Sequence, residues 1–265
     1  MNQKMEYLRN GVRYCLLLIL LVLAFATGAH AAQDDYYYPN YDASANGCVD
    51  LMNYVKRVTV TVNGVDYTLN QLDQMRQQGT SSAPIVMTSE KEEPGAWGGI
   101  HICGKAHTNA EGGKGSSEIG GATYGGNDDA DNSGTLKYVR VEYSGYAFDS
   151  EHEANGITFY GVGNGTTVEY CQAYKGSDDG FEFFGGSVNV SNLVSVSCSD
   201  DSFDWTEGWN GTATNLVAYQ EAEETLGYDC DCLIEADNNE NNYAATPVAH
   251  PVLKNLILVG NNSAA

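Results

Sequence analysis

The sequence predicts an all-β protein: a parallel β-solenoid of about five coils, with a small hairpin-plus-helix cap at its N-terminal end. An acidic-aromatic phrase is written twice, as GSDDGFEFFGG (176–186) and CSDDSFDWTEG (198–208). Short apolar segments recur with a period of roughly twenty residues, as expected for one coil of a solenoid. No helical periodicity occurs between residues 95 and 260, which disfavours leucine-rich repeats, and the period is too short for a β-propeller blade.

The first 31 residues predict an export signal. Three basic residues precede an apolar run, 15–26, and the stretch ends in the small-x-small sequence Ala29-His30-Ala31. An uncleaved membrane anchor is the less favoured alternative, because the run is short for a span. No later segment is apolar enough to cross a bilayer, so we expect a secreted, extracellular or cell-surface protein.

Removal of residues 1–31 leaves 10 basic and 34 acidic residues, a formal charge of −24 (13 − 3 = 10 and 35 − 1 = 34). Such a charge excludes nucleic acid and anionic lipid as favoured partners and favours bound cations. Six cysteines remain, and for an exported chain they predict one or two disulfides of undetermined pairing, with Cys103 or Cys171 as an alternative core residue. Zinc is disfavoured, because only one close pair exists, Cys230-x-Cys232.

Two segments precede the solenoid. Residues 32–47 are acidic and tyrosine-rich and predict a flexible leader. Residues 48–93 predict a capping unit that covers the apolar end of the solenoid. It contains a hairpin over 54–69, turned at Asn63-Gly64, and a short helix over 69–78.

The solenoid is predicted over 94–265, from two kinds of strand that alternate along the chain. One kind follows the pattern Gly-apolar-x-apolar and occurs at 99–102, 156–159, 180–183, 202–205 and, more loosely, 233–236. The other kind is richer in valine and leucine and occurs at 136–143, 168–174, 191–198, 214–220 and 253–260. The chain stops directly after the last of these, so we expect it to be a piece of a longer protein.

Stacking of the coils predicts columns of like residues about 4.8 Å apart. The polar position of the first kind of strand forms the column His101, Thr158, Glu182, Asp204, Glu235. Asp178 is expected to stack on Asp200, and Asp179 on Asp201. Like charges in such a column repel, so a bound Ca²⁺, raised carboxylate pKa values or divergence into solvent must compensate.

A second candidate calcium site lies in the Gly/Ser/Asn/Asp-rich stretch 106–134. Its segment NDDADNSG offers Asp128, Asp129 and Asp131, an oxygen-rich set without the EF-hand spacing. A solvated loop is the alternative interpretation.

Several phrases together resemble a family of exported bacterial proteins, some of which carry the label "multidrug transporter" or hypothetical lipoprotein. The phrases are GAWGGIHICGKA (95–106), EIGGATYGGNDDADNSGTLKYVRVEYSG (118–145), NGITFYGVGNGTTVEYCQAY (155–174), DDGFEFFGG (178–186), DDSFDW (200–205) and IEADNN (234–239). The resemblance implies a right-handed parallel β-helix related in shape to pectate lyases, and members that usually continue further C-terminally. It supplies no catalytic residues.

These observations favour a secreted or surface binding or adhesive module, stabilised by Ca²⁺, whose partner is a polysaccharide or a surface protein. Glu182, Asp204, Glu235 and Trp209 are the predicted ligand-binding residues; the predicted metal ligands are Asp178, Asp179, Asp200 and Asp201. The alternative is a polysaccharide lyase or glycoside hydrolase that uses the same four aspartates for catalysis. The polygalacturonase-type His and Arg/Lys motif does not follow Asp201, which disfavours this alternative.

Overall fold

The computed structural model describes residues 59–62, 65–68, 80–82, 84–119, 121–149 and 152–261. The predicted export signal, the leader and the helix over 69–78 lie outside these residues. The described part contains one four-residue helix, α1 (Glu223–Leu226), and a 3-10 turn at Glu111–Gly113. No helix in the described part is long and apolar enough to span a membrane.

Strands make up nearly all of the regular structure. In chain order they are β1 (Thr59–Val62), β2 (Val65–Thr68), β3 (Ile85–Met87), β4 (Ile100–Cys103), β5 (Gly115–Ser116), β6 (Thr123–Tyr124), β7 (Thr135–Glu142), β8 (Ile157–Tyr160), β9 (Thr167–Tyr174), β10 (Phe181–Phe184), β11 (Val190–Val196), β12 (Phe203–Thr206), β13 (Thr212–Tyr219) and β14 (Val252–Val259). β1 and β2 pair antiparallel, which confirms the predicted hairpin.

Two parallel sheets form the body of the molecule. Sheet A has the order β12-β10-β8-β4, and sheet B has the order β14-β13-β11-β9-β7-β3. From β7 to β13 the chain alternates between the sheets, and each return adds a strand beside the previous one. β3 and β4 begin the two sheets, β5 and β6 form a separate antiparallel pair, and β14 follows β13 in sheet B. This is a right-handed parallel β-helix, as predicted.

The coil boundaries differ from the predicted ones at both ends. β3 lies inside the predicted capping unit, yet it pairs with β7 as the first strand of sheet B, so the sheet begins before residue 94. The segment 233–236 is not a regular strand. It still follows the coil below, because the Glu235 N–H donates to the Phe203 carbonyl over 3.1 Å and the Asp237 N–H donates to the Trp205 carbonyl over 3.0 Å.

Stacked aromatic rings fill the interior beneath sheet A. Phe159 stacks on Phe183 with ring centroids 5.0 Å apart, and Phe181 stacks on Phe203 at 5.4 Å. Trp209 lies on the other face of Phe183 at 4.1 Å. The alternation of strand residues places these rings inside and the intervening polar residues, such as Glu182, on the outer face.

Sheet B bends at one residue in each of its strands except β3, and these residues form a column along the solenoid. Their φ angles lie in the left-handed region: Tyr138 (53°), Tyr170 (56°), Asn192 (56°), Asn215 (59°) and Asn255 (57°). Asparagine tolerates this conformation better than most residues. The Asn215 amide donates to the Asn192 side-chain oxygen over 2.8 Å, and the Asn255 amide donates to that of Asn215 over 3.0 Å. We call Asn192, Asn215 and Asn255 the asparagine ladder.

Residues 104–109 form a strap that climbs across the turns following sheet A. Ala106 N–H donates to the Gly161 carbonyl, His107 accepts from Gly186 N–H, and Asn109 N–H donates to the Glu207 carbonyl, at 2.8, 2.7 and 3.0 Å. Gly185 makes the close approach possible, because a Cβ there would lie 2.9 Å from the His107 carbonyl oxygen. The strap therefore ties three coils together.

Candidate metal centre

Seven acidic side chains converge on the outer face of sheet A and the turn that precedes it. We call them the carboxylate ladder: Asp178, Asp179, Glu182, Asp200, Asp201, Asp204 and Glu235. The register confirms the predicted column, because Glu182 lies opposite Thr158 on one side and Asp204 on the other. Glu235 continues the column through its backbone bond to Phe203.

The second aspartate of each phrase bonds to the backbone of the next coil. Asp179 Oδ1 accepts the N–H of Asp201 over 2.9 Å, and Asp201 Oδ1 accepts the N–H of Cys232 over 2.7 Å. The equivalent aspartate thus accepts a hydrogen bond from the backbone of the next coil in two successive turns. This explains structurally why the second position of the phrase repeats.

The remaining oxygens of the ladder lie close to one another. Three overlapping sets each have carboxylate oxygens within 4.8 Å: Asp178/Asp179/Asp200, Asp179/Glu182/Asp204 and Asp201/Asp204/Glu235. A fourth set, Asp201/Asp231/Cys232, includes a thiol. The sets share members, so the ladder is a continuous strip of oxygen atoms across three coils.

Most of the ladder is buried, and its access is uneven. Asp201 is 1% exposed, Asp179 6%, Asp178 7% and Glu182 9%. Asp200 and Glu235 are exposed. Solvent therefore reaches the ladder mainly along its Asp200 and Glu235 edge.

Neutral and acidic groups from loops cover the inner part. Asn155 donates its side-chain N–H to Glu182. Tyr160 donates to Glu118 over 3.0 Å, which brings a further carboxylate over sheet A from the long loop that follows β4. In the described residues, no ion pair includes a member of the ladder.

Burial and mutual repulsion raise the pKa values of the ladder's aspartates and of Glu182. Burial raises the pKa of Asp178 to about 7, and the charges of Glu153 and Asp200 add to the effect. Burial raises the pKa of Asp201 to about 8 and that of Asp204 to about 6. The pKa values of Asp179 and Glu182 lie well above their ordinary values for the same first reason. The charged form is therefore costly unless a cation or shared protons compensate.

The oxygen spacing fits a hard divalent cation. Ca²⁺ binds oxygens at about 2.3–2.6 Å, so two ligands of one ion lie no more than about 5.2 Å apart. Each three-carboxylate set meets that limit at 4.8 Å. The Asp179, Glu182 and Asp204 set is the most enclosed, because it is the one three-carboxylate set among the described residues without an exposed member.

Asp128, Asp129 and Asp131 do not form the second site that the sequence predicts. Asp129 Oδ1 bonds to His107 Nδ1 over 2.6 Å, and Asp131 Oδ2 accepts the Ser133 hydroxyl over 2.7 Å. Asp128 Oδ1 accepts the N–H of Ala130 over 3.2 Å. Among the described residues, the close sets of metal-ligating atoms include none of these three. Their carboxylates instead serve the internal bonds of the loop.

Trp209 is not placed for ligand binding, contrary to the prediction. It is 1% exposed, and its indole N–H donates to the Val188 carbonyl over 3.2 Å. The reason is the turn at Glu207–Gly208, with φ of 52° and 84°, which leads the chain back so that Trp209 stacks on Phe183.

Sequence reasoning missed the loop residues that complete the site. Glu118 lies outside the repeated phrase, so no column pointed to it. Asn155 occupies the position of Asp179 in the neighbouring coil, because Ile157 lies opposite Phe181, but as an amide it does not carry the acidic signature of the phrase. Burial raises the pKa of Glu118 to about 7. Glu207 is a related case: it accepts the hydroxyls of Thr108 and Tyr124 over 2.6 and 2.8 Å and so fastens the loop to the coil.

A coiled body with a strip of acids on one parallel sheet defines the protein as a β-helix with a candidate cation site. Residues 55–265 match the family model described as a pectate-lyase-like beta helix domain. The match covers most of the chain, and the protein belongs to this family. No curated protein and no solved structure matches the chain.

Proposed function

We propose that this protein is an exported β-helix that binds Ca²⁺ through its carboxylate ladder and serves as a binding module for polysaccharide. The observation that carries the proposal is the convergence of seven carboxylates from three coils without an ion pair to any cationic side chain among the described residues. Acceptor-only groups packed in this way require a cation or protons.

Limited access favours a stabilising metal over a catalytic one. Asp179, Glu182 and Asp201 are each at most 9% exposed, so a polymer chain has no path to their oxygens without displacement of the covering loops. A cation bound there would link three coils. The exposed Asp200 and Glu235 edge remains available to a ligand.

Exposed aromatic rings on a loop bonded to the turn before Asp178 are suitable for contact with sugar faces. Tyr146 and Phe148 are 47% and 62% exposed, and their rings meet edge to face at 4.9 Å. Their loop is tied to the ladder, because Ser177, the residue before Asp178, donates its hydroxyl to the Gly145 carbonyl. Rings of this kind present apolar area that can pack on a pyranose.

Calcium binding is tested by thermal unfolding of the protein in Ca²⁺ and in EGTA at pH 7.5. Ligand at one hundred times its dissociation constant stabilises by about 2.7 kcal/mol, which raises the melting temperature by several degrees. We expect Asp179→Asn to lose this response, because it removes a charge shared by two ligand sets while its Oδ1 still accepts the Asp201 N–H.

The matched control is Glu169→Gln on sheet B, where the carboxylate pairs with Lys137 over 2.8 Å. It makes the same charge change far from the ladder and should keep the full response to Ca²⁺. An unchanged melting temperature in the wild type, together with no heat of binding by calorimetry, would disprove the metal site.

A polysaccharide-cleaving enzyme is the second candidate, because the pKa values of Asp178 and Asp204, about 7 and 6, suit proton transfer near neutral pH.

A panel of uronate and neutral polysaccharides separates the two functions. We expect retention on at least one polymer, lost in Tyr146→Ala and kept in Tyr219→Ala, an exposed tyrosine on sheet B. Unsaturated products or new reducing ends would support the enzyme instead, and no retention on any polymer would contradict glycan binding.

A further inference from the structure

Two buried thiols lie in adjacent coils at the turn that leads into sheet A. Cys198 follows β11 and is 1% exposed. Cys230 lies in the segment between α1 and β14 and is 6% exposed. Both are free thiols in the structure. Their surroundings differ from those of Cys171, which lies within β9 opposite Val139 and Leu193 and so has no cysteine beside it in the sheet.

Backbone hydrogen bonds fix the register between the two turns. Asp231 N–H donates to the Ser199 carbonyl over 3.2 Å, and Ser202 N–H donates to the Cys232 carbonyl over 3.0 Å. These bonds place Asp231 over Asp200, and therefore Cys230 over Ser199, one residue from Cys198.

The register sets the distance between the two cysteines. A strand spacing of about 4.8 Å combined with a step of about 3.4 Å gives a Cα separation of about 6 Å. Disulfides bridge Cα atoms that are about 4.4–6.8 Å apart. The backbone is therefore already within bridging range.

The side chains share one enclosed site. Burial raises the pKa of Cys230 to about 12, and the neighbouring charge of Cys198 is the next largest cause. Tyr228 lies two residues before Cys230 in the chain, and burial and then the charges of Cys230 and Cys198 raise its pKa. Its hydroxyl donates to the Ser197 carbonyl over 2.7 Å, which holds the Cys230 segment against the coil below.

We infer that Cys198 and Cys230 form a disulfide that locks the coil containing β12 and β13 to the segment above it. The oxidant is a disulfide, either a small molecule such as oxidised glutathione or a protein dithiol catalyst. The two thiols lose two protons and two electrons, one S–S bond forms between them, and the S–S bond of the oxidant becomes two thiols. The bridge closes a loop of about thirty residues, long enough for a substantial reduction of unfolded-chain entropy.

The other described cysteines are poorer partners. Cys232 is exposed, and its thiol bonds to the Asp231 carboxylate over 3.3 Å. Cys103 lies opposite Tyr160 in sheet A. The disulfide between Cys198 and Cys230 is thus the pairing that the register supports.

The test uses the full chain, folded in the presence of reduced and oxidised glutathione. Free thiols are alkylated in denaturant without reduction, and proteolytic peptides are identified by mass spectrometry. We expect a cross-linked peptide pair that contains Cys198 and Cys230, two hydrogens lighter than the sum of its parts, which disappears after reduction. The reductant should also lower the melting temperature of the native protein, by roughly 5–10 °C.

Cys198→Ser and Cys230→Ser should each abolish the effect of reductant on the melting temperature, whereas Cys171→Ser, at an equally buried site, should keep it. The wild-type mass measurement decides the matter even if a serine variant fails to fold. Full alkylation of both residues after exposure to excess oxidised glutathione, or linkage of either to another cysteine, would overturn the inference. Neither result bears on calcium binding, which is measured independently of the thiols.

Discussion

Two polar ladders run along the same solenoid, and they differ in how their stacked polar side chains are satisfied. In the asparagine ladder on sheet B, each amide donates to the oxygen of the one below, at 2.8 and 3.0 Å. In the carboxylate ladder on sheet A, an ionised side chain can accept hydrogen bonds but cannot donate one. The first column is satisfied by its own members, and the second is not.

The difference shows what an acidic column in a β-helix requires. Strand spacing forces equivalent side chains together in both sheets, so geometry alone does not distinguish them. Asn192 and Asn215 carry no charge, whereas Glu182 and Asp204 carry like charges at a site where burial already raises their pKa values. The carboxylate ladder therefore needs protons or a cation from outside, and its stability should respond to both.

The largest expected effect is a pH dependence of the metal-free protein. The pKa values of the ladder's aspartates and of Glu182 are raised in the folded state, so the folded chain binds more protons than the unfolded chain. Stability is then fully present below the unfolded pKa, near 4, and is lost as pH rises through the folded values of about 6 for Asp204, 7 for Asp178 and 8 for Asp201. We expect the free energy of unfolding in EGTA to fall by about 2–4 kcal/mol between pH 5 and pH 8.

Denaturant unfolding at a series of pH values measures this, with two internal checks. Burial lowers the pKa of His101, which acts in the opposite direction and should only reduce the slope at the acidic end. Asp204→Asn supplies the donor that the carboxylate ladder lacks, so it should stabilise the metal-free protein at pH 8 and flatten the profile. A stability that rises from pH 5 to pH 8 in EGTA would show that the ladder is not strained by its charges.

The sequence repeat was enough to predict most of the fold but only part of the candidate metal centre. Period and alternation were enough to predict both sheets and the column through Thr158, Glu182 and Asp204, because equivalent positions in a solenoid must stack. They were not enough for Trp209, since its direction depends on the left-handed turn at Glu207, a position that holds glycine in the coil below at Gly185. The turn itself recurs at Gly161, Gly185 and Glu207. The residue two positions later changes from glycine to serine to Trp209, so no repeated residue type marked that position as core.

The covering loops were the least predictable part. The strap at 104–109 and the loop that carries Glu118 lie outside the repeat, so no equivalent position indicated what they contact. Their acidic composition suggested calcium at Asp128–Asp131, but there hydrogen bonds within the loop use the carboxylates. Aspartates therefore have two different roles in this chain: those of the carboxylate ladder are packed against one another on sheet A, and those at 128–131 hold the loop together. Burial against sheet A distinguishes the two groups, and the sequence does not reveal it.

The smallest expected effect concerns the asparagine ladder, where mutation of Asn215 can separate the left-handed backbone angle from the side-chain hydrogen bonds. Asn215 both adopts a φ of 59° and bonds to its two neighbours. Asn215→Gly keeps the left-handed conformation accessible and removes both side-chain bonds. Because the site is exposed, it should cost about 1 kcal/mol, the lower end of the net value of two hydrogen bonds. Asn215→Ala should cost about 1–2 kcal/mol more, because alanine also disfavours the left-handed region.

Urea unfolding of the two variants and the wild type at pH 6 measures these differences. Asn215→Asp is the direct link to the carboxylate ladder, since it retains the shape of the side chain, removes the donor and adds a charge. Because Asn215 is exposed, solvent screens that charge, and we expect a loss no larger than that of the alanine variant. Equal stability of the glycine variant and the wild type would mean that the amide bonds contribute nothing. The contrast between the ladders would then rest on charge and burial alone.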